Sequence, residues 1–138
     1  VWPKSLIDHV FKFCVNNHSC VNTPAQYAAV AALDGPEDHL NQMMEEFTAR
    51  RKLIVEGLNS LNGVESSLPG GSFFVFPDVK NTGLNGEEFA KKCLEKAGVA
   101  VIPGTAFGKF ATHNVRLNFA TSRENINKAI EKIDKMLR

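Results

Sequence analysis

The chain has 138 residues, 43% hydrophobic and 22% charged, with a formal net charge of +1. That is about one domain's length and an ordinary globular composition. The near-neutral charge gives no electrostatic footprint for nucleic acid or an acidic membrane surface. No apolar run reaches the ~20 residues needed to cross a bilayer, and no signal peptide is apparent.

The chain begins Val1-Trp2-Pro3, without an initiator methionine, which suggests a piece of a longer protein. The cysteines are Cys14, Cys20 and Cys93. An odd, sparse set makes no disulfide framework and points to a reducing, cytoplasmic setting. Cys14, His18 and Cys20 lie close in sequence, but their spacing matches no standard zinc pattern, so no metal is expected.

Leu6, Ile7, Val10, Phe11 and Cys14 recur at helical spacing and predict a short amphipathic helix over residues 4–14, with a loop at Asn16 to Ser19. The alanine-rich stretch 23–33 reads as a buried helix opened by Pro24. Asp34-Gly35-Pro36 stops it and starts the longest element, a helix over residues 36–61. At ~38 Å that helix is long enough to bridge two bodies. Arg50, Arg51 and Lys52 interrupt its apolar stripe and read as a solvated face.

A turn at Asn62-Gly63 leads to a short strand over 64–67, and Pro69-Gly70-Gly71 makes a second turn. The unbroken apolar run 72–76 reads as a strand covered on both faces and ended by Pro77. Asn85, with Glu88 three residues on, marks a capped helix bearing Phe89, Cys93, Leu94 and Ala97, and closed by Gly98. Strands follow over 99–102 and 114–120. On the second, Val115, Leu117 and Phe119 share one face, while Arg116 and Asn118 share the other. Thr121 with Glu124 reads as another capping box before an amphipathic helix on Ile126, Ile130, Ile133 and Leu137. The sum is an α+β layer, a small sheet against helices.

Several chemistries find no support. Gly104 to Gly108 lacks the Lys-Ser/Thr ending of a phosphate-cradling loop, and no nucleophile elbow occurs. His9, His18, His39 and His113 form no triad or metal pattern and read as surface or capping residues. Arg116 remains. An arginine on a strand is commonly a surface charge. On a rigid strand behind a glycine-bearing loop the spacing points only to anion binding, for which a carboxylate is a good match because the planar fork donates two parallel hydrogen bonds.

Taken together, Gln26-Tyr-Ala-Ala-Val-Ala-Ala-Leu33, Arg50-Arg51 with Gly57-Leu58, Pro69-Gly-Gly-Ser-Phe-Phe-Val-Phe-Pro77, Gly98-Val-Ala-Val-Ile-Pro-Gly-Thr-Ala-Phe-Gly108 and Val115-Arg-Leu-Asn-Phe-Ala-Thr-Ser122 follow one order. In these pieces the chain resembles the C-terminal part of class I/II aminotransferases, pyridoxal-phosphate enzymes of fold type I. The resemblance implies a tail of the large cofactor-binding domain over 1–35. It implies a C-terminal small domain over 36–138, with a mainly antiparallel sheet and the connecting helix 36–61.

It also implies that Arg116 holds the substrate's carboxylate, and that Asn17, Ser19 and Asn22 lie in a loop reaching the cofactor pocket of a dimer partner. Phe74 stands where many relatives have tyrosine, and Lys109 to Thr112 lack the glycines usual there. No Ser-Lys motif for the Schiff-base lysine is found. The implied parent moves an amino group between an amino acid and a 2-oxo acid with pyridoxal phosphate as a homodimer, and the 138-residue piece alone is expected to be inactive and to bind no cofactor. A non-catalytic carboxylate-binding or structural domain, or a lyase or synthase relative on the same scaffold, is the alternative.

Overall fold

The computed structural model describes residues 2–138. The chain divides into two compact units, one up to His39 and one over Leu40–Arg138.

The first unit holds two helices. Helix α1 is Ile7–Asn17, preceded by a single 3-10 turn at Lys4–Leu6. It runs three residues beyond the predicted end, so Asn16 and Asn17 are helical; the Asn16 side chain donates to the Lys12 carbonyl at 2.7 Å and closes the last turn. Helix α2 is Thr23–Asp34, capped by Asn22, whose Oδ1 accepts from Ala25 N at 2.8 Å. The expected burial of this helix is not found. Every residue of α2 is exposed, including Tyr27, Val30 and Leu33, so its alanine-rich face has no cover among the described residues.

The second unit is built on the end of helix α3, Asp38–Asn59, which is shorter at both ends than the predicted 36–61. Its apolar side sends Ile54, Val55 and Leu58 into the core. Strand β1 is Phe74–Val75, helix α4 is Gly86–Lys92, β2 is Ile102–Pro103, β3 is Val115–Asn118, and α5 is Arg123–Leu137. The strands form one antiparallel sheet in the order β1-β3-β2. Phe74 faces Asn118 and Val75 faces Leu117; Ile102 faces Arg116 and Pro103 faces Val115.

Alternation along β3 is as expected. Val115, Leu117 and Phe119 are buried under the sheet, Arg116 is half-buried and Asn118 is exposed on the other face. Burying side chains the size of Phe119 or Leu58 stabilises by about 1.5–3 kcal/mol each. Helix α5 closes the core with Ile126 and Ile133, and Ile130 packs beside them, as its spacing predicts.

The strands are shorter than expected, for local reasons. The 64–67 stretch is a single bridge from Glu65 to Asp78. Its next residue is held by a side chain instead of a strand, since Asn59 Oδ1 accepts from Ser66 N at 2.7 Å and its Nδ2 donates to Ser66 O at 3.0 Å. The 72–76 run is covered on one face only: Val75 is buried, while Phe76 on the opposite face stays exposed, and Phe73 lies in the bend before the strand. The 99–102 strand retains only Ile102, because Val99 N donates to Cys93 O and closes a π-turn over Cys93–Ala97 that Gly98 ends in the left-handed region.

The two caps come out differently. Asn85 and Glu88 form a full capping box, with Asn85 Oδ1 accepting from Glu88 N at 2.9 Å and Glu88 Oε2 accepting from Asn85 N at 3.0 Å. At α5 the cap is Ser122, not Thr121, and its hydroxyl accepts from Asn125 N. Glu124 then sits one residue too early to reach back, and it pairs with Lys128 instead.

Candidate functional site

The centre of interest is the outer face of the sheet. Period-two geometry brings Phe74, Arg116, Asn118 and Ile102 to that face, and Phe76 lies two residues beyond Phe74. After β2, a 3-10 turn over Gly104–Phe107 carries Phe107 back toward the sheet. Gly104 opens this turn because nothing larger fits. A Cβ there would stand 2.3 Å from the Ala111 carbonyl oxygen and 2.8 Å from that of Asn114. Thr105 Oγ1 donates to Glu87 Oε1 at 2.9 Å and ties the turn to the first turn of α4.

The guanidinium carbon of Arg116 lies 4.3 Å from the centre of the Phe74 ring and 4.4 Å from the centre of the Phe107 ring, over the face of each. The row of rings continues at both ends. Phe73 lies 4.5 Å from Phe74 and Phe76 lies 6.0 Å from Phe107, centre to centre.

Among the described residues no carbonyl, carboxylate or hydroxyl accepts a hydrogen bond from Arg116. The other arginines all have an acceptor. Arg50 and Arg123 donate to Glu46, Arg51 donates to the Pro69 carbonyl, and Arg138 pairs with Asp134. Arg116 is thus a half-buried cation with free donors in a frame of hydrocarbon. In such surroundings a charged partner is held more firmly than in open water.

The other candidates lie elsewhere. Asn17 ends α1, with its Nδ2 3.4 Å from the His18 ring, and Ser19 adopts a left-handed φ of 58°. Asn22 is committed to capping α2. The expected solvated face at Arg50 and Arg51 is not one. Both are half-buried, and Arg51 has an enclosed Nε without a partner beside a small cavity of about 120 Å³ bounded by Phe47, Gly70, Gly71 and Phe119. Lys52 alone of the three is exposed. His113 also departs from the surface role expected of it, being half-buried with an enclosed, unpartnered Nδ1.

A larger hollow of about 690 Å³ lies between Lys92, Lys96, Lys132, Lys135 and Met136, and Arg116 does not line it. Cys93 is fully buried, and burial pushes its thiol up to about 12. Among the described residues no cluster of three or more His, Cys, Asp or Glu is placed to hold a metal, and no helix is long and apolar enough to cross a membrane.

Sequence reasoning singled out Arg116 and missed its two stacking partners. Both were in view, Phe107 inside the Pro-Gly-Thr-Ala-Phe-Gly stretch and Phe74 as the residue replacing tyrosine. The approach of the 3-10 turn to β3 is not written in any local spacing.

Comparison with known proteins fixes the family. The sequence profile of "Aminotransferase class I and II" matches residues 5–133, and the chain belongs to that family. It is 38% identical over 138 residues to an aspartate aminotransferase of Pyrococcus abyssi, covering 99% of this chain and 35% of that protein. It is 33% identical to aromatic-amino-acid aminotransferase 2 of Thermococcus litoralis, covering 99% of this chain and 35% of that protein. Its fold superposes on the crystal structure of the aromatic aminotransferase from Pyrococcus horikoshii OT3 with a TM-score of 0.88 at 36% identity, over 98% of this chain and 36% of that one. The chain thus spans about a third of the length of the relatives it matches.

Pyridoxal phosphate is the cofactor this family implies. Its covalent holder is a lysine enclosed in a pocket. Every lysine of this chain is exposed, so the described residues do not by themselves make a site for it.

Proposed function

We propose that this chain is the C-terminal part of a pyridoxal-phosphate aminotransferase that moves an amino group between an amino acid and a 2-oxo acid. Arg116 is its receptor for the substrate's carboxylate. The observation that carries this reading is the free fork of Arg116, half-buried and without an acceptor while the other arginines are paired. A carboxylate satisfies that fork with two parallel, charge-assisted bonds.

In this reading residues 1–35 are the tail of the large domain, and 36–138 are the small domain with its connecting helix. The cofactor and its lysine belong to the remainder of the protein. The exposed apolar side chains of α1 and α2, among them Phe11, Tyr27 and Leu33, support an origin in a larger body, since a lone helix pair does not keep such surface in water. Asn17, Ser19 and Asn22 reach toward the cofactor pocket of a second subunit in a homodimer, and the enzyme works in the cytoplasm.

The test is Arg116→Ala in the full-length protein. Loss of a charge-assisted pair to a carboxylate costs on the order of 2–4 kcal/mol, so KM for the amino acid rises by roughly 30-fold to 1,000-fold. An unchanged KM removes Arg116 from the site.

A further inference from the structure

We propose that Phe74 and Phe107 are positioning residues that clamp the guanidinium of Arg116, fixing its plane so that a carboxylate meets the edge of the fork rather than its face. This rests on the reading of Arg116 as a carboxylate receptor and adds what holds it in register. The two rings come from opposite sides of the strand: Phe74 from β1 at one edge of β3, and Phe107 from the turn after β2 at the other. Each faces the guanidinium carbon, at 4.3 Å and 4.4 Å.

A free arginine side chain samples many rotamers and loses that freedom on binding. Here no hydrogen bond holds the head group among the described residues, so the rings are what orders it. Ring faces attract the cation but accept no strong hydrogen bond, which leaves the N–H donors available in the guanidinium plane. An ion pair to a protein carboxylate would fix the plane equally well and would occupy those donors. Stacking is thus the way to order an arginine and keep it open. The 3-10 turn bearing Phe107 is set by the tight seat of Gly104 and by the Thr105 bond to Glu87, so the second ring is held independently of the first.

The experiment uses the full-length protein with its cofactor, labelled with 15N at arginine, and propionate as the probe carboxylate. The Nε–H signal of Arg116, assigned by its loss in Arg116→Lys, is expected upfield of the other arginines because two ring currents shield it, and it moves on adding propionate. Phe107→Leu should return that signal toward the others and weaken propionate by about tenfold. KM for the amino donor should rise in parallel while kcat at saturation stays unchanged, and Phe107→Tyr, which keeps the ring, should behave as wild type. An unshielded Arg116 signal in the wild type overturns the clamp whether or not the variants fold. So does Phe107→Leu with unaltered affinity, or Phe107→Tyr as weak as Phe107→Leu. Undiminished propionate binding in Arg116→Lys overturns instead the reading of Arg116 on which the clamp rests.

Discussion

Glu46 sits between two guanidinium groups, with Arg50 Nε at 2.7 Å on its own helix and Arg123 Nη2 at 2.5 Å at the start of α5. Hydrogen bonds from Arg123 and then Arg50 hold its carboxyl down at about 2, against a smaller opposing effect of burial. The folded carboxylate therefore holds its proton less tightly than the unfolded one. The stability this gives is complete above about 4.5 and is lost as pH falls from there toward 2. Unfolding midpoints in urea at pH 7 and pH 3 should converge between wild type and Glu46→Gln at the acid end and separate at the neutral end, less so in high salt. Cys93 shows the opposite sign. Its thiol is pushed up to about 12 by burial, so it should resist a thiol reagent at pH 8 until urea unfolds the chain, whereas exposed Cys20 reacts at once. At this scale the sequence is a fair guide where one residue's neighbours are local. Val115, Arg116 and Leu117 were assigned to faces by alternation alone. Glu46 with Arg123 and Arg116 with Phe107 were not visible, since each contact joins elements that only the fold brings together.

Elements are fixed here by close backbone approach as much as by side chains. Gly86 opens α4 where a Cβ would stand 2.4 Å from the Asn114 carbonyl oxygen, and Gly104 opens the 3-10 turn in an equally tight seat. The amides of both glycines donate into the same loop ahead of β3, Gly86 N to Thr112 O at 2.8 Å and Gly104 N to Asn114 O at 2.7 Å. Gly104→Ala should therefore cost about 1–3 kcal/mol of stability, measured by urea denaturation, since the crowding atoms are backbone and cannot swing aside. Gly57 is a contrasting case, because a Cβ there meets only the flexible Ile130 side chain at 2.9 Å, which can turn away. Removing the cap with Asn85→Ala should cost about 1 kcal/mol by the same measurement. This cap could be read from the sequence because its partners lie within one turn. The strand ends could not, because Val99 N closes the turn over Cys93–Ala97 and Ser66 N goes to the Asn59 side chain, donors that a periodicity argument counts as available.

At the scale of the whole chain the two units differ in kind. Residues Leu40–Arg138 enclose a continuous core from Ile54 to Ile133, whereas no residue of α1 or α2 is buried. The five α-helices were legible in the sequence, from spacing, composition or caps, but none of these signals could tell a helix that packs within this chain from one whose apolar surface has no partner among the described residues. That is why the alanine-rich 23–33 stretch reads as buried and lies open. The difference should appear directly in hydrogen exchange of the 138-residue chain. The amides of Leu58, Phe89, Leu117 and Ile133 should exchange only through global opening of the second unit, while those of α1 and α2 should exchange at rates near those of free helical peptides. A peptide of α2's length is marginal in water even when rich in alanine, so its protection depends on whatever covers Tyr27, Val30 and Leu33. Protection of α1 and α2 equal to that of the core would mean that their apolar faces are covered within the chain after all. Slow exchange in these helices only in the proposed full-length protein would instead place their partner outside these 138 residues, as the proposed division into large-domain tail and small domain requires.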